Sequence, residues 1–257
     1  VRAEILIAPP LSHRGEKMLR ALARVAPPGS MVTSRYGGQC ELLVIYGPGA
    51  PVRLQQAAQH RAGGGHVVMW DLGYWDRDTT VRLSVDTLHP TAAQLELAPD
   101  VHRATFDLRE DADPAGPIML VGLGPKSCVA YGYAPMQWET RQLDSLRARF
   151  PGREIVWRPK GEKATPLRGT TLRHGMPIQE ALSGCSLVVC RHSNVAVDAC
   201  IAGVPVECED GAAVALYHGN PEPTIEQRAR FLQRLSWFNW GFNEAQACWN
   251  WIAKLTK

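Results

Sequence analysis

The residues best placed to do chemistry lie between Ser186 and Val206, in SLVVCRHSNVAVDACIAGVPV. The apolar run Leu187-Val188-Val189 reads as a buried parallel strand. It stops at Arg191-His192-Ser193-Asn194, and a helix of small and apolar residues follows through Ala196, Val197, Ala199, Cys200 and Ile201. Gly203 suits the C-terminal cap, and Val204-Pro205-Val206 opens the next strand. Such a unit aims a helix N-terminus, with its free N–H groups and positive dipole end, at the carboxyl edge of a sheet, where it attracts phosphate. Ser193 or Asn194 would cap the helix or contact the anion, with His192 and Arg191 as further donors. An ordinary strand–helix–strand crossover whose polar cap binds nothing would read the same way.

Two other strand ends carry anion chemistry. Ile118-Met119-Leu120-Val121 runs into Gly122-Leu123-Gly124-Pro125-Lys126-Ser127, where Gly124 admits a close backbone approach, Lys126 supplies charge and Ser127 a hydroxyl. The spacing is not that of a Walker loop. Glu154–Trp157 reads as a strand ended by Arg158-Pro159-Lys160-Gly161; Arg158 can grip two phosphate oxygens and Lys160 acts as a point charge. Ligands of open parallel sheets bind beyond the carboxyl ends of the strands, so three such ends converging is the argument. Glu209, with Glu207 and Asp210, follows the strand after Gly203 and is placed either to hold a ribose hydroxyl pair or as an exposed acidic turn.

Ser/Asn at the strand end, a small-residue helix and then Ala-Gly-Val-Pro-Val resemble the nucleotide-sugar half of GT-B glycosyltransferases. They are also similar to the related sugar-nucleotide 2-epimerases and capsule-polysaccharide transferases. The resemblance implies an α/β fold of two Rossmann-like domains facing a cleft, with C-terminal helices crossing back to the first domain. It implies a nucleotide-sugar co-substrate, a UDP-sugar by preference, with no permanently bound cofactor and no essential metal.

Sugar transfer needs a base to deprotonate the acceptor hydroxyl. Asp71 is the candidate: it follows the apolar run Val67–Trp70 in WDLGYW, where Tyr74 and Trp75 could frame an acceptor. It could equally cap the next segment. His13 and Arg14, after the first strand, are second choices for catalysis and acceptor contact, and Asp86 and His89 third. Asp71-Leu72-Gly73-Tyr74, followed by Arg82-Leu83-Ser84 and His89-Pro90, resembles phage proteins of glycosyltransferase type. The compact first half is similar in size to phage transferases that glycosylate hydroxymethylated bases. That resemblance implies a hydroxymethylated pyrimidine in DNA as acceptor. A sugar-nucleotide 2-epimerase and a non-catalytic nucleotide or nucleic-acid binder are the rival expectations.

The elements around these residues alternate. Ile5–Ala8 reads as a strand ended by Pro9-Pro10, 15–25 as a helix, Leu42–Tyr46 as a strand ended by Gly47-Pro48-Gly49, 52–60 as a helix and Val67–Trp70 as a third strand, which predicts a parallel sheet flanked by helices. Residues 100–116 lack apolar periodicity and form the linker candidate. The second half adds helices over 136–150, 178–182, 224–235 and 243–255. The expected domains are 1–110, 111–236 and a Trp-rich helix, 237–257, that packs back on the first domain. Trp237, Trp240, Trp249 and Trp251 in this last stretch read as core packing.

The 257 residues suffice for two modest α/β domains, and 45% hydrophobic with 21% charged residues describes a globular protein. No apolar run approaches the length of a membrane span, and the opening VRAEILIAPP is too short for a secretory signal, so a cytoplasmic location is expected. The seven cysteines contain no CxxC pair and read as reduced core residues; the eight histidines lack metal-ligand spacing. Net charge is +3. Arg141, Arg147, Arg149, Arg153, Arg158, Lys160, Lys163, Arg168 and Arg173 crowd the middle of the chain, as a solvated face with a few phosphate contacts or as a groove for a polyanion.

Overall fold

A computed structural model describes residues 1–9, 11–47, 51–161 and 166–257. Pro10, Pro48, Gly49 and Lys163, all singled out above, lie outside the described residues. In chain order the elements are β1 (Ala3–Leu6), α1 (His13–Ala23), β2 (Met31–Thr33), β3 (Leu42–Tyr46), α2 (Pro51–Ala62), β4 (His66–Leu72), β5 (Thr80–Val85), α3 (Ala92–Glu96), β6 (Ile118–Val121), α4 (Pro125–Tyr131), α5 (Gln137–Arg149), β7 (Ile155–Arg158), β8 (Thr171–Leu172), α6 (Ile178–Leu182), β9 (Leu187–Cys190), α7 (Val195–Ala202), β10 (Val206–Cys208), α8 (Val214–Tyr217), α9 (Ile225–Leu235), β11 (Asn239–Gly241) and α10 (Ala245–Leu255). They form two compact units. One comprises Val1–Arg103 with Gln233–Lys257, the other Ala104–Leu232.

The first unit holds a six-stranded sheet in the order β11-β5-β4-β3-β1-β2. β1 to β4 are mutually parallel, as the alternation of strands and helices predicts. β5 pairs antiparallel with both β4 and β11 and corrects the expectation of an all-parallel sheet. The cause is chain length: the seven residues between β4 and β5 cannot carry a crossover, which takes a dozen or more, so the chain turns back beside β4. Val81, Leu83 and Val85 of β5 are buried, and this period-2 signal was legible. Asp71 lies inside β4 rather than after the strand.

Polar side chains fix this unit where apolar packing cannot. Glu4 of β1 is fully buried, and its carboxylate accepts the Gly37 and Gly38 N–H groups at 2.5 and 2.8 Å, which ties the loop before β3 to the core. Arg53 of α2, also buried, donates to the carbonyls of Tyr46 and Ala8 at 2.8 and 3.1 Å, closing the ends of β3 and β1.

The C-terminal segment packs into this unit, as expected from its tryptophans. Trp240, Trp249 and Trp251 are buried. The Trp249 indole donates to the Leu22 carbonyl of α1 at 3.0 Å, and Trp251 meets Phe238 edge-on at 5.7 Å. Arg103 stacks 3.6 Å above the Trp240 ring and donates to Glu244 at 2.6 Å. A desolvated cation over an indole is worth about 2 kcal/mol.

The second unit is a five-stranded, wholly parallel sheet, β10-β9-β6-β7-β8. Its core sets Ile118, Leu120, Ile155, Trp157 and Val189 of the strands against Trp138, Leu143 and Leu146 of α5. The expected linker, 100–116, has no helix or strand, yet from Ala104 it belongs to this unit. Arg109 and Asp111 donate their N–H groups to the carbonyls of Ile201 and Ala202 at 2.9 and 2.8 Å, satisfying the free end of α7. Gly203 serves two demands at this junction. Its φ is +76°, and a Cβ there would lie 2.2 Å from the Arg109 carbonyl oxygen. Arg228 of α9 completes the junction, donating to the Cys200 and Arg109 carbonyls at 2.8 and 3.0 Å and pairing with Glu110.

No helix among the described residues is long and apolar enough to cross a membrane. The seven cysteines are free thiols, six of them buried. Burial pushes the thiols of Cys190 and Cys200 up to about 12. Native protein at pH 8 is therefore expected to leave Cys190 and Cys200 unlabelled by a thiol reagent, because the thiolate is the reactive form; unfolding should release all seven, as counted by mass spectrometry. Trp249→Ala is expected to destabilise the first unit by about 3–5 kcal/mol in urea unfolding, from the cavity and the lost indole hydrogen bond to the Leu22 carbonyl. A loss below 1 kcal/mol would contradict the docking of α10 on α1.

Candidate functional site

The second unit's strand order reverses beside β6. From β6 the chain moves outward to β7 and β8, then returns to β6's other side as β9 and moves outward again to β10. A parallel sheet opens a crevice at the carboxyl ends of the strands flanking such a reversal. The residues beyond β6 and β9 are the glycine loop 122–124 with α4 and the segment Arg191–Asn194 with α7, so both sequence-predicted strand ends meet there. The third joins them from β7.

Their contacts are specific. The Ser127 hydroxyl lies 3.1 Å from His192 Nε2, bridging the two strand ends. Lys160 folds across the β6 end: a Cβ on Gly124 would stand 3.3 Å from its Cδ, so glycine leaves room for this stem. The Lys160 charge reaches Cys190 at the tip of β9 and works against the burial that raises that thiol. Gly124 caps α4 in extended conformation, with Pro125 in the first turn, where a missing N–H costs nothing. Ser193 is half-buried, and its hydroxyl accepts from the Val195 N–H at 3.3 Å. Asn194 is the N-cap residue of α7 without a side-chain capping bond. Lys126 is exposed near the start of α4. Arg158, half-buried, donates to the Met176 carbonyl at 3.1 Å, which directs part of its fork to the loop before α6.

Around this group stand Tyr131, Trp138 and Gln142, which sequence reasoning missed, held by Arg191, Glu209 and Asp210, which it named. The Tyr131 ring lies 5.0 Å from the His192 ring and 4.4 Å under the Arg191 guanidinium, and its hydroxyl donates to Asp210 at 2.6 Å. Glu209 is a hub: one oxygen accepts from the Trp138 indole at 2.7 Å and from Gln142 at 2.8 Å, and the other pairs with Arg191 at 3.3 Å. It thus joins α5 to the loop after β10. No local spacing connects position 138 to 209, so composition gave no signal of this contact.

The arginine run is largely spent on internal partners. Arg147 donates to the Arg168 carbonyl, Arg153 to those of Pro114 and Gly116, and Arg173 to that of Ala181, at 2.6 to 2.8 Å. Arg149 forms a two-point pair with Glu207, and Arg141 pairs with Glu209 at 3.4 Å. These cations close carbonyl ends and acidic neighbours. They do not line a continuous free stripe.

In the first unit, Asp71 lies near the carboxyl end of β4, and its Oδ2 accepts from Arg82 of β5 at 2.7 Å, directly across the antiparallel register. Its Oδ1 accepts the Leu72 N–H at 2.8 Å. Arg82 is buried, donates to the Leu88 carbonyl at 3.1 Å and also contacts the buried His89 ring. Burial opposes the Arg82 charge, but the Asp71 carboxylate more than offsets it, and the guanidinium pKa is raised. Tyr46, at the end of β3, is held protonated up to about 12 by burial and by the Asp71 charge.

The other acceptor-side candidates spread over this unit. Tyr74 is buried and takes the Asn239 side-chain oxygen on its N–H at 2.8 Å; Trp75 is half-buried beside it, the rings 6.3 Å apart. His13 is the exposed first residue of α1, and Arg14 pairs with Asp78. Asp86 holds His66 at 2.7 Å and the Val67 N–H at 2.7 Å, at the opposite end of β4 from Asp71. Among the described residues no group of three or more His, Cys, Asp or Glu side chains is placed to hold a metal ion.

No family model matches the sequence, and no curated protein matches it. Solved structures do. Thermosulfurimonas dismutans KpsC, beta Kdo 2,7 transferase, is similar over 100% of this chain and 99% of that one, with TM-score 0.58 and 12% identity. Thermosulfurimonas dismutans KpsC, beta Kdo 2,4 transferase, is similar over 80% of this chain and 79% of that one, with TM-score 0.48 and 12% identity. The spinosyn rhamnosyltransferase SpnG complexed with thymidine diphosphate covers 94% of this chain and 65% of its own, with TM-score 0.35 and 14% identity. At such identities the likeness is one of fold, carried by the first of these: a GT-B-like α/β architecture of two parallel-rich sheets, whose structural neighbours are glycosyltransferases.

Proposed function

We propose that the chain is a glycosyltransferase that holds the phosphate of a nucleotide-sugar donor at the carboxyl edge of its second unit. The observation that carries this reading is the meeting of Ser127 and His192 across the β6/β9 reversal, with Lys160 laid over Gly124. There a hydroxyl, an imidazole, an ammonium group and a close-approach glycine converge on one strand edge, the donor set that neutralises a leaving phosphate as a glycosidic bond breaks. The GT-B-like fold supports transfer over simple binding, since its structural neighbours are glycosyltransferases. Gly124, Lys126, Ser127, Arg158, Lys160, His192, Ser193, Asn194 and Glu209 are the proposed donor-side residues.

A UDP-sugar is the proposed donor and Asp71 the proposed base, with His13, Arg14, Tyr74, Trp75 and His89 on the acceptor side. Asp71 has the chemistry of a fixed acceptor: Arg82 orients the carboxylate at 2.7 Å while about a quarter of it stays open to solvent. The hydroxymethylated pyrimidine of DNA is the proposed acceptor. It rests on the sequence resemblance around Asp71 alone, because the arginine run is engaged internally.

Thermal unfolding against UDP, GDP, CDP and ADP tests the donor site. A matching nucleotide at a hundred times its dissociation constant should stabilise the protein by about 2.7 kcal/mol. Lys160→Ala and His192→Ala should each fold normally and lose most of that shift; full retention in both, or no shift with any nucleotide, would sink the donor reading. With a UDP-sugar and a hydroxymethylated oligonucleotide, Asp71→Asn should lower transfer by about 100-fold or more while nucleotide affinity stays within twofold. Unchanged turnover in that variant would remove Asp71 from catalysis.

A further inference from the structure

Glu139 is the one buried carboxylate of the second unit's described residues that stands beside the glycine loop, and the proposed function leaves it without a role. It is 1% exposed, in the first turn of α5. Its Oε1 accepts the Leu123 N–H at 2.7 Å, and its Oε2 is buried with no hydrogen-bond partner. Leu123 is the middle residue of Gly122-Leu123-Gly124, the turn that joins β6 to α4.

This arrangement is costly. A buried carboxylate with one of its oxygens unsatisfied loses hydration that a single hydrogen bond does not restore. It also sets a negative charge near a site that, on the proposed reading, receives a phosphate. Coulomb repulsion alone would make the site better without it. What the carboxylate does provide is geometric. Gly122 cannot carry a side chain, since its Cβ would fall 2.4 Å from the Trp157 ring, and Gly124 leaves room for Lys160. Two glycines in three residues leave the turn with little side-chain packing of its own. The charge-assisted bond from Leu123 to Glu139 pins its centre to a thirteen-residue helix that is itself anchored through the Trp138 indole on Glu209.

We propose that Glu139 is a positioning residue: it acts through the Leu123 N–H to hold the 122–124 turn in the shape that accepts phosphate, and its net effect on anion binding is favourable despite its charge. This rests on the donor site proposed above.

The test exploits the opposite signs of the two effects. Binding of inorganic pyrophosphate to the full chain would be measured by calorimetry for the parent protein, Glu139→Ala and Glu139→Gln, with hydrogen exchange at the Leu123 amide read in parallel. Positioning predicts that Glu139→Ala weakens pyrophosphate binding about tenfold, which is ~1.4 kcal/mol, and loses protection at Leu123. Glu139→Gln keeps an oxygen for that amide and should restore most of the affinity, which also guards against misreading a misfolded alanine variant. Tighter or unchanged binding in Glu139→Ala would overturn the inference, and so would equal weakening in both variants. If the parent protein binds no pyrophosphate, the donor site itself fails and this inference with it, a result distinct from normal parent binding that Glu139→Ala leaves untouched.

Discussion

Parallel strands cannot be joined by tight turns, and both halves of this molecule follow from that constraint. Each connection between neighbouring parallel strands must leave the sheet, cross a face and return, so all strands of one run end at the same edge. When the order reverses, as between β6 and β9, two adjacent strands send their chains apart and leave polar backbone at the gap. Gly124, Ser127, His192, Ser193 and Asn194 sit at this gap because they lie on the segments that leave β6 and β9. The same rule in the first unit, where the order reverses between β1 and β3, sets His13 and Arg14 after one strand and Gly47 after the other.

The second physical theme is how cations are spent. The chain has 28 Lys and Arg against 25 Asp and Glu, and a reading of charge along the sequence sees a basic middle. In the fold many guanidinium groups finish carbonyl ends, in that middle and outside it: Arg53 on Tyr46 and Ala8, Arg153 on Pro114 and Gly116, Arg228 on Cys200 and Arg109. Buried carbonyls need donors, and a planar five-donor group supplies two or three at once. Lys160 differs. It has one charge, no fork and a stem laid over a glycine at the reversal, which is why it and not the arginine run carries the case for an anion.

How much was legible follows from range. The segment from Leu187 to Val206 was read correctly as strand, helix and strand because its signals are local: an apolar run, small residues at helical spacing, a glycine cap. Gly203 shows the limit. Its positive φ was implied by its place after α7, but the Arg109 carbonyl that forbids any side chain there comes from a segment ninety-odd residues away that looked like a free linker. Asp71 was noticed and Arg82 named within a resemblance, yet the pairing of the two went unread because β5 was missed. Tyr131 and Trp138 could not be assigned at all, since their partners Asp210 and Glu209 lie across the sheet.

Glu139 and Asp71 show how burial changes the meaning of the same functional group. Asp71 has a buried guanidinium as counter-ion, and a share of the carboxylate meets solvent, so the group is both oriented and accessible. Glu139 takes a single backbone N–H and is closed to water, so it cannot itself meet a substrate hydroxyl. A carboxylate in the first situation can meet a substrate hydroxyl; one in the second can only shape the turn to which it is bound. Assigning chemistry to acidic residues from sequence therefore fails at the step where counter-ion and solvent access are decided. In this fold both are decided by pairings that local sequence signals do not spell out: β5 laid against β4 for Asp71, and α5 laid beside the β6 turn for Glu139.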